Sequence, residues 1–106
     1  SSTNAIDTNE IYSMDYDASK AGLISLTNNF ADALAPFVRV IAIAPGWTKT
    51  ESVSEMNPNY LKDEEQKILL KRMAQPEEIA NVVAFLASAE ASYINKTVIR
   101  VDGGLK

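Results

Sequence analysis

A tyrosine and a lysine stand four residues apart in the stretch Tyr16-Asp17-Ala18-Ser19-Lys20. On a helix, residues four apart lie on the same face, one turn from each other. A free phenol titrates near pH ~10 and exchanges protons poorly at neutrality, but a cation one turn away lowers its pKa. The pair therefore indicates general acid–base chemistry at Tyr16, supported by Lys20. The same spacing also arises by chance, so an exposed tyrosine resting on a lysine stem is the alternative interpretation.

The composition of the chain excludes several kinds of chemistry. Its 106 residues suffice for one small domain, and 46% of them are hydrophobic, as in ordinary globular proteins. The absence of cysteine and histidine excludes disulfides, thiolate chemistry and a Ser-His-Asp triad, so no metal site is predicted. A net charge of -4 disfavours a nucleic-acid or anionic-membrane surface. Without a long apolar run or a secretory leader, a soluble cytoplasmic protein is expected.

Apolar spacing predicts a helix that carries the Tyr-Lys pair. Residues 1–15 are interpreted as loop, Asp15 is a suitable N-cap, and the helix is predicted to run to about Leu34, before Pro36. Gly22 lowers helix stability by roughly 1 kcal/mol relative to alanine, so close backbone packing is expected there. Apolar residues three or four apart form a stripe along this helix, namely Leu23, Leu26, Phe30 and Leu34.

The rest of the chain alternates between strand-like and helix-like patterns. The nearly continuous apolar run over 38–44 predicts a parallel strand buried on both faces. After an irregular polar loop over 47–57, helices are predicted over 58–72 and from Pro76 onward, each with a proline in its first turn. The β-branched run over 97–101 predicts a second strand. The order helix, strand, helix, helix, strand is typical of the α/β class with a parallel sheet.

Four segments, in this order and spacing, resemble the C-terminal half of a classical short-chain dehydrogenase/reductase. Within that family the chain is most similar to the 3-oxoacyl-[acyl-carrier-protein] reductases. The resemblance implies that 1–106 is the C-terminal part of a doubly wound, Rossmann-like parallel-sheet domain, with two strands and three helices. The segments are Ser1-Ser2, Tyr16-x-x-x-Lys20, Pro45-Gly46-Trp47-Thr48-Lys49-Thr50 and Val101-Asp102-Gly103-Gly104.

The resemblance implies a catalytic role for three residues. Tyr16 would be the general acid toward a carbonyl in reduction and the base toward an alcohol in oxidation. Lys20 would lower the pKa of Tyr16, and Ser2 would polarise the substrate carbonyl. The serine of the family usually stands thirteen residues before the tyrosine, which is the position of Thr3 here, whereas Ser2 stands fourteen before it. Ser2 is preferred because the Ser-Ser pair lies where the strand of the family ends, and Thr3 is the alternative.

The same resemblance implies a nicotinamide cofactor, NAD or NADP. Its hydride would be exchanged with a small carbonyl or alcohol substrate, and an acyl-carrier-protein-bound substrate is one option. The backbone around Thr48 and the hydroxyl of Thr50 would hold the carboxamide and the phosphates, and Lys20 would bond to the ribose. The cofactor-binding residues implied in this way are Tyr16, Lys20, Pro45, Gly46, Thr48 and Thr50.

Several features depart from the family pattern. The chain has no glycine-rich phosphate loop, so we expect it to be a fragment that lacks the N-terminal dinucleotide-binding half and is inactive alone. Ile41 replaces a common asparagine, and Lys96 replaces a customary glycine before the last strand. A non-catalytic fragment or pseudo-enzyme that self-associates or binds a partner is therefore the second hypothesis. An extended sugar-nucleotide epimerase shares Tyr-x-x-x-Lys but fits the other segments poorly.

The family resemblance also implies a homo-oligomer, either a dimer or a tetramer. The helix that begins at Asp15 and the helix over 58–72 would pair with those of a second subunit. The role of Trp47 stays open at this stage, because it either lines the substrate pocket or packs beneath a loop.

Overall fold

A long helix, α1 (Ser13–Leu34), precedes the first strand. A computed structural model describes residues 13–105, with the backbone alone over residues 13–19. The helix begins two residues before the predicted cap Asp15, which lies inside it. Helix ends read from local patterns commonly differ by one or two residues from those observed. Its end at Leu34 agrees with the prediction, because Pro36 cannot continue the helical hydrogen bonding.

The face of α1 that packs within the chain differs from the predicted apolar stripe. Lys20 and Thr27 are buried, whereas Leu26 and Phe30 are 53% and 54% exposed. No atom lies within 4 Å of the place where a side chain at Gly22 would begin, so the close packing predicted there is not found among the described residues. The spacing of apolar residues identified the helix correctly but not the face that this chain buries.

The two strands, β1 (Ile41–Pro45) and β2 (Thr97–Val101), pair in parallel along their whole length. The bounds of β2 are those predicted from its β-branched residues. The prediction for β1, a strand over 38–44, is wrong at its start. The amide of Val38 still donates to the carbonyl of Leu34 at 3.1 Å, so the chain is bound to the end of α1 at this point.

Two helices follow β1 where the sequence predicts a loop and one long helix. The short helix α2 (Glu51–Ser54) lies inside the segment predicted to be irregular, and the hydroxyl of Thr50 caps it by accepting from the amide of Val53 at 3.3 Å. Helix α3 (Pro58–Gln66) begins at its proline as predicted. It ends six residues earlier than the predicted range 58–72.

Tertiary hydrogen bonds explain the early end of α3. The amides of Leu69 and Leu70 donate to the carbonyls of residues 103–104, each at 3.1 Å. Next to them, Ile68 forms an antiparallel bridge with Leu105, and both side chains are buried. Burial of this apolar pair against the end of the chain outweighs the modest preference of the segment for a helix.

The last helix, α4 (Pro76–Ala87), begins at Pro76 as predicted. A carboxylate oxygen of Glu78 accepts from the amide of Gln75 at 2.9 Å, which satisfies one of the amides at the helix start. A single 3-10 turn over Ala89–Ala91 then leads toward β2.

Arg39 joins the end of α4 to the segment before β1. Its guanidinium donates to the carbonyls of Leu86 at 2.9 Å, Ser88 at 3.3 Å and Ile94 at 3.1 Å. The carbonyls at a helix end have no partner within the helix, and a planar guanidinium can serve several of them at once.

The described chain is an α/β unit in the order α1, β1, α2, α3, α4, β2. The α/β class and the parallel sheet are therefore confirmed, while α2 makes four helices where three were predicted. No helix within residues 13–105 combines the length and the apolar character needed to cross a membrane. The buried apolar core consists of Ala31, Ala42, Ala44, Ile68, Met73, Leu86, Ala91 and Leu105.

Candidate active site

The predicted acid–base pair lies in the N-terminal part of α1. The backbone of Tyr16 is helical and stands one turn before Lys20, as predicted, while the side chain of Tyr16 lies outside the described part. Ser2 and its alternative Thr3 also lie outside it. Lys20 is buried, with 4% of its surface exposed. Burial lowers the pKa of Lys20, and the positive charge of Arg100 lowers it further.

Gly46 begins the connection that leaves β1, here called the turn at Gly46, and lies against the end of β2. Its amide donates to the carbonyl of Val101 at 3.0 Å. A Cβ atom added at Gly46 would lie 2.7 Å from the Cβ and 2.8 Å from the Cα of Asp102, so any side chain there would collide. Pro45 ends β1 directly before this turn. The turn requires glycine because two backbones approach each other closely.

The segment after the turn is bound to the residue that precedes α4. The amide of Lys49 donates to the carbonyl of Ala74, and the amide of Ala74 donates to the carbonyl of Trp47, each at 2.9 Å. The hydroxyl of Thr48 donates back to the carbonyl of Gly46 at 3.2 Å. These bonds hold residues 46–49 in one arrangement.

Thr50 lies where this segment meets α2. Its hydroxyl accepts from the amide of Val53, and a hydroxyl that accepts one bond can still donate its proton to an acceptor. Beside Thr50 a cavity of about 240 Å³ opens between α2 and α3. Val53, Leu61 and Met73 give this cavity an apolar lining. Its polar lining residues, besides Thr50, are Lys49, Ser54 and Glu65.

Trp47 packs against α3. Its ring meets the ring of Tyr60 edge to face, with centroids 6.3 Å apart and planes at 82°. The indole Nε1 is buried and has no hydrogen-bond partner among the described residues. Trp47 thus packs against a helix and also lines a cavity beside Asp102 and Gly103, so both interpretations of its role stay open.

An ion pair between Arg100 and Asp102 supports the turn. This ion pair was not predicted from the sequence. Arg100 Nε and Nη2 lie 2.9 and 2.8 Å from Asp102 Oδ2, and the amide of Gly104 donates to Oδ1 at 2.9 Å. Burial would raise the pKa of the Asp102 carboxyl, but the bonds from Gly104 and Arg100 outweigh burial and lower it. The sequence feature that could have predicted this ion pair is the i, i+2 spacing of Arg100 and Asp102 at the end of a strand, which places the two side chains on one face.

The arrangement has the features that a nucleotide cofactor needs from this part of a protein. Thr50 offers a hydroxyl proton and Lys20 supplies a buried amine, while the close backbone approach that Gly46 permits is to Asp102. The turn lies at the carboxyl ends of parallel strands, where ligands bind in open α/β sheets. Within residues 13–105 no three His, Cys, Asp or Glu side chains are grouped so that they could hold a metal ion.

A family comparison identifies the class of protein. The family model described as enoyl-(acyl carrier protein) reductase matches residues 1–106. The chain therefore belongs to the short-chain dehydrogenase/reductase family, as the motifs predict.

Curated relatives within this family are mainly 3-oxoacyl-[acyl-carrier-protein] reductases. The chain is 41% identical over 99 residues to the FabG reductase of Aquifex aeolicus, covering 92% of this chain and 40% of the relative. It is 43% identical over 91 residues to the FabG reductase of Thermotoga maritima, covering 85% of this chain and 37% of the relative. The chain thus spans about two fifths of the length of these proteins, and its predicted similarity to them is confirmed.

Solved structures agree with the sequence comparison. A 3-oxoacyl-[acyl-carrier protein] reductase from Brucella melitensis superposes with a TM-score of 0.89 and 32% identity, covering 99% of this chain and 40% of that one. A second such reductase from Brucella melitensis, crystallised with bound NAD, gives a TM-score of 0.84 and 31% identity, covering 99% of this chain and 38% of that one.

Proposed function

We propose that the full-length protein carrying this chain is an NAD(P)-dependent oxidoreductase that interconverts a carbonyl and an alcohol. The observation that carries the proposal is the burial of Lys20 one helical turn after Tyr16. Lysine is rarely buried, because its ammonium group loses hydration, so a buried lysine beside a tyrosine suggests a function for the amine. Membership of the family supports the same conclusion.

Proton transfer is assigned to Tyr16. In reduction its phenol donates a proton to the substrate oxygen, and in oxidation the phenolate takes that proton back. The ammonium group of Lys20 stabilises the phenolate and so brings the pKa of Tyr16 toward neutrality. The hydroxyl of Ser2, with Thr3 as the alternative, donates a hydrogen bond to the substrate oxygen and stabilises its developing negative charge. The bound nicotinamide supplies or accepts the hydride.

Cofactor binding is assigned to two parts of the chain, the segment over residues 45–50 and Lys20. The turn formed by Pro45 and Gly46 and the backbone of Thr48 would hold the nicotinamide carboxamide, and the hydroxyl of Thr50 would donate to an acceptor of the same cofactor. Lys20 bonds to the ribose, close to Tyr16. Rigid support from the backbone bonds of residues 46–49 favours this role, since a pre-organised turn loses little entropy when it binds.

The substrate is proposed to be a 3-oxoacyl thioester, which the acyl carrier protein can present. Relatives that are more than 40% identical carry this activity in their names. The apolar cavity beside Thr50 is suited to the hydrocarbon part of such a substrate, because Val53, Leu61 and Met73 offer no competing hydrogen bonds.

The proposal assigns residues 1–106 to the C-terminal half of one domain of a cytoplasmic homo-oligomer. The N-terminal half of that domain would contribute the glycine-rich loop that binds the cofactor phosphates. The four glycines of this chain are Gly22, Gly46, Gly103 and Gly104, and they do not form such a loop. This observation favours the second candidate, a non-catalytic product, for the 106-residue chain on its own. We therefore expect the isolated chain not to bind NADPH in a fluorescence titration.

The test is an assay of the full-length protein with NADH and NADPH against short and long 3-oxoacyl thioesters. Loss of absorbance at the reduced nicotinamide band, dependent on both protein and thioester, is the expected result. Tight NADPH binding without turnover of any carbonyl substrate would favour the non-catalytic candidate. Absence of both binding and turnover would overturn the oxidoreductase proposal.

A further inference from the structure

Gly46 has no side chain, so its position depends on its backbone bonds and on the groups that lie against it. The hypothetical Cβ contacts at 2.7 and 2.8 Å show that Asp102 fills the adjacent space completely. The bond from the Gly46 amide to the carbonyl of Val101, at 3.0 Å, fixes the same junction through the backbone. The position of Asp102 therefore helps to set the position of Gly46, because closely packed groups transmit displacements to each other.

Asp102 is in turn held from two sides. Its side chain is 7% exposed, and a buried carboxylate needs a charged or hydrogen-bonding partner. The amide of Gly104 bonds to one oxygen at 2.9 Å, and two nitrogens of Arg100 lie within 2.9 Å of the other. Removal of the guanidinium would leave a buried carboxylate with backbone donors alone, from Gly104 and Leu105.

Arg100 is itself anchored at a third point. Its Nη2 donates to the carbonyl of Leu105 at 2.9 Å. Leu105 is buried, and its backbone forms an antiparallel bridge with Ile68. The guanidinium thus joins the last strand, the Asp102 carboxylate and the core residue that follows. A planar group with several fixed donors can make these bonds together, whereas an ammonium group on a flexible stem cannot.

We propose that Arg100 is a positioning residue for the cofactor, which acts through Asp102 to hold the Gly46 turn in its binding geometry. The inference rests on the proposed function, in which this turn contacts the nicotinamide. Arg100 makes no contact with substrate in this account. Its loss should weaken cofactor binding, and a variant that keeps a positive charge at this position separates that effect from the influence of Arg100 on the pKa of Lys20.

The test compares Arg100→Met with Arg100→Lys in the full-length protein, with steady-state kinetics for the cofactor and the substrate. For Arg100→Met we expect the KM for NAD(P)H to rise about tenfold, the factor that a charged hydrogen bond typically carries. Because this change also removes the positive charge that lowers the pKa of Lys20, kcat is compared in Arg100→Lys, which keeps a positive charge and should stay within about twofold of wild type. Compared with Arg100→Met, Arg100→Lys should restore part of the cofactor affinity, because lysine keeps the positive charge beside Asp102 but lacks the several fixed donors of the planar guanidinium. This variant keeps the proposal testable if Arg100→Met does not fold.

Arg39→Met is the matched control, because the guanidinium of Arg39 also bonds to three backbone carbonyls, but these lie at and after the end of α4. It should lower the melting temperature and leave the KM for NAD(P)H unchanged. An unchanged cofactor KM in both Arg100 variants, or an equal rise in Arg39→Met, would overturn the inference while the wild-type activity stands. A wild-type protein that neither binds nor oxidises NAD(P)H would overturn the proposed function and this inference together.

Discussion

The Nζ atom of Lys96 lies 2.8 Å from a carboxylate oxygen of Asp32, and the backbone of the same lysine has a left-handed φ of 53°. The ion pair joins the turn before β2 to α1. A left-handed conformation favours glycine, because a Cβ atom there is strained by roughly 1 kcal/mol. At this turn the weak attraction of the exposed Lys96–Asp32 ion pair is therefore opposed by the backbone strain of a left-handed lysine.

We predict that Lys96→Gly stabilises the full-length protein by up to about 1 kcal/mol, since an exposed ion pair contributes less than the strain that is removed. Lys96→Ala is the control, because it also removes the ion pair but keeps a side chain at the strained position. Urea unfolding of both variants measures the difference. A Lys96→Gly protein less stable than Lys96→Ala would contradict this account of the turn.

Gly46→Ala should damage both stability and cofactor binding. The added methyl group would lie 2.7 Å from Asp102 Cβ, and relief of that clash must move backbone, which typically costs about 1–3 kcal/mol. Gly22→Ala is the matched control in α1, where nothing lies within 4 Å of the added atom, and helix propensity predicts a gain of up to about 1 kcal/mol. Thermal unfolding and NAD(P)H titration of both variants test the contrast, and equal stability of the two would refute it.

The carboxyl of Glu78 should titrate far below an ordinary glutamate. The hydrogen bonds from Arg72, at 2.7 and 2.9 Å, and the bond from the Gln75 amide lower the pKa of Glu78 to about 2. The folded state therefore binds fewer protons than the unfolded state between pH about 2 and about 4.5. The contribution of this group to stability is complete above that window and is lost as the pH falls through it.

Carbon-13 NMR of the glutamate carboxyls measures this pKa directly. Arg72→Met should raise the pKa of Glu78 while the Gln75 amide continues to hold it below the usual value. Because the pair is exposed, the shift should shrink at high salt. A Glu78 titration unaffected by Arg72→Met would show that the pair is not formed in solution.

Local sequence patterns predicted those parts of the fold that local chemistry determines. The β-branched residues of Thr97–Val101 and the proline at Pro76 gave the correct bounds of β2 and the correct start of α4. Errors arose where distant segments compete for backbone groups. Helix α3 ends at Gln66 because Leu69 and Leu70 bond to the end of the chain, and no local pattern records that partner. Helix α2 is too short to show periodicity, and its signal was the capping residue Thr50.

The candidate site was predictable to a similar extent. The spacing of Tyr16 and Lys20 is local, and the burial of Lys20 agrees with a role at the site. The support of Gly46 by Asp102 joins residues 56 positions apart, so only the folded chain reveals it. Side chains two apart on a strand lie on the same face, so the sequence suggests that Arg100 and Asp102 are neighbours, but only the folded chain shows their ion pair.

The exposed side chains of Leu26 and Phe30 lead to a prediction about association. More than half of each is exposed in this chain, and large apolar groups in a row on a helix usually meet a partner surface. We predict that the full-length protein is a homo-oligomer and that Leu26→Glu or Phe30→Glu shifts it toward monomers. Asn29→Glu, at an exposed position of the same helix, is the control for added charge. A folded monomer in light scattering of the wild-type protein would contradict the prediction.

Turnover of the full-length Tyr16→Phe variant shows whether Tyr16 transfers the proton. This change removes the hydroxyl alone, so we predict that kcat for carbonyl reduction falls by about a thousandfold while the NAD(P)H dissociation constant stays within about threefold of wild type. Fluorescence titration of NAD(P)H on the same sample supplies the binding constant and shows that the variant is folded. Turnover within tenfold of the wild-type rate would contradict the claim.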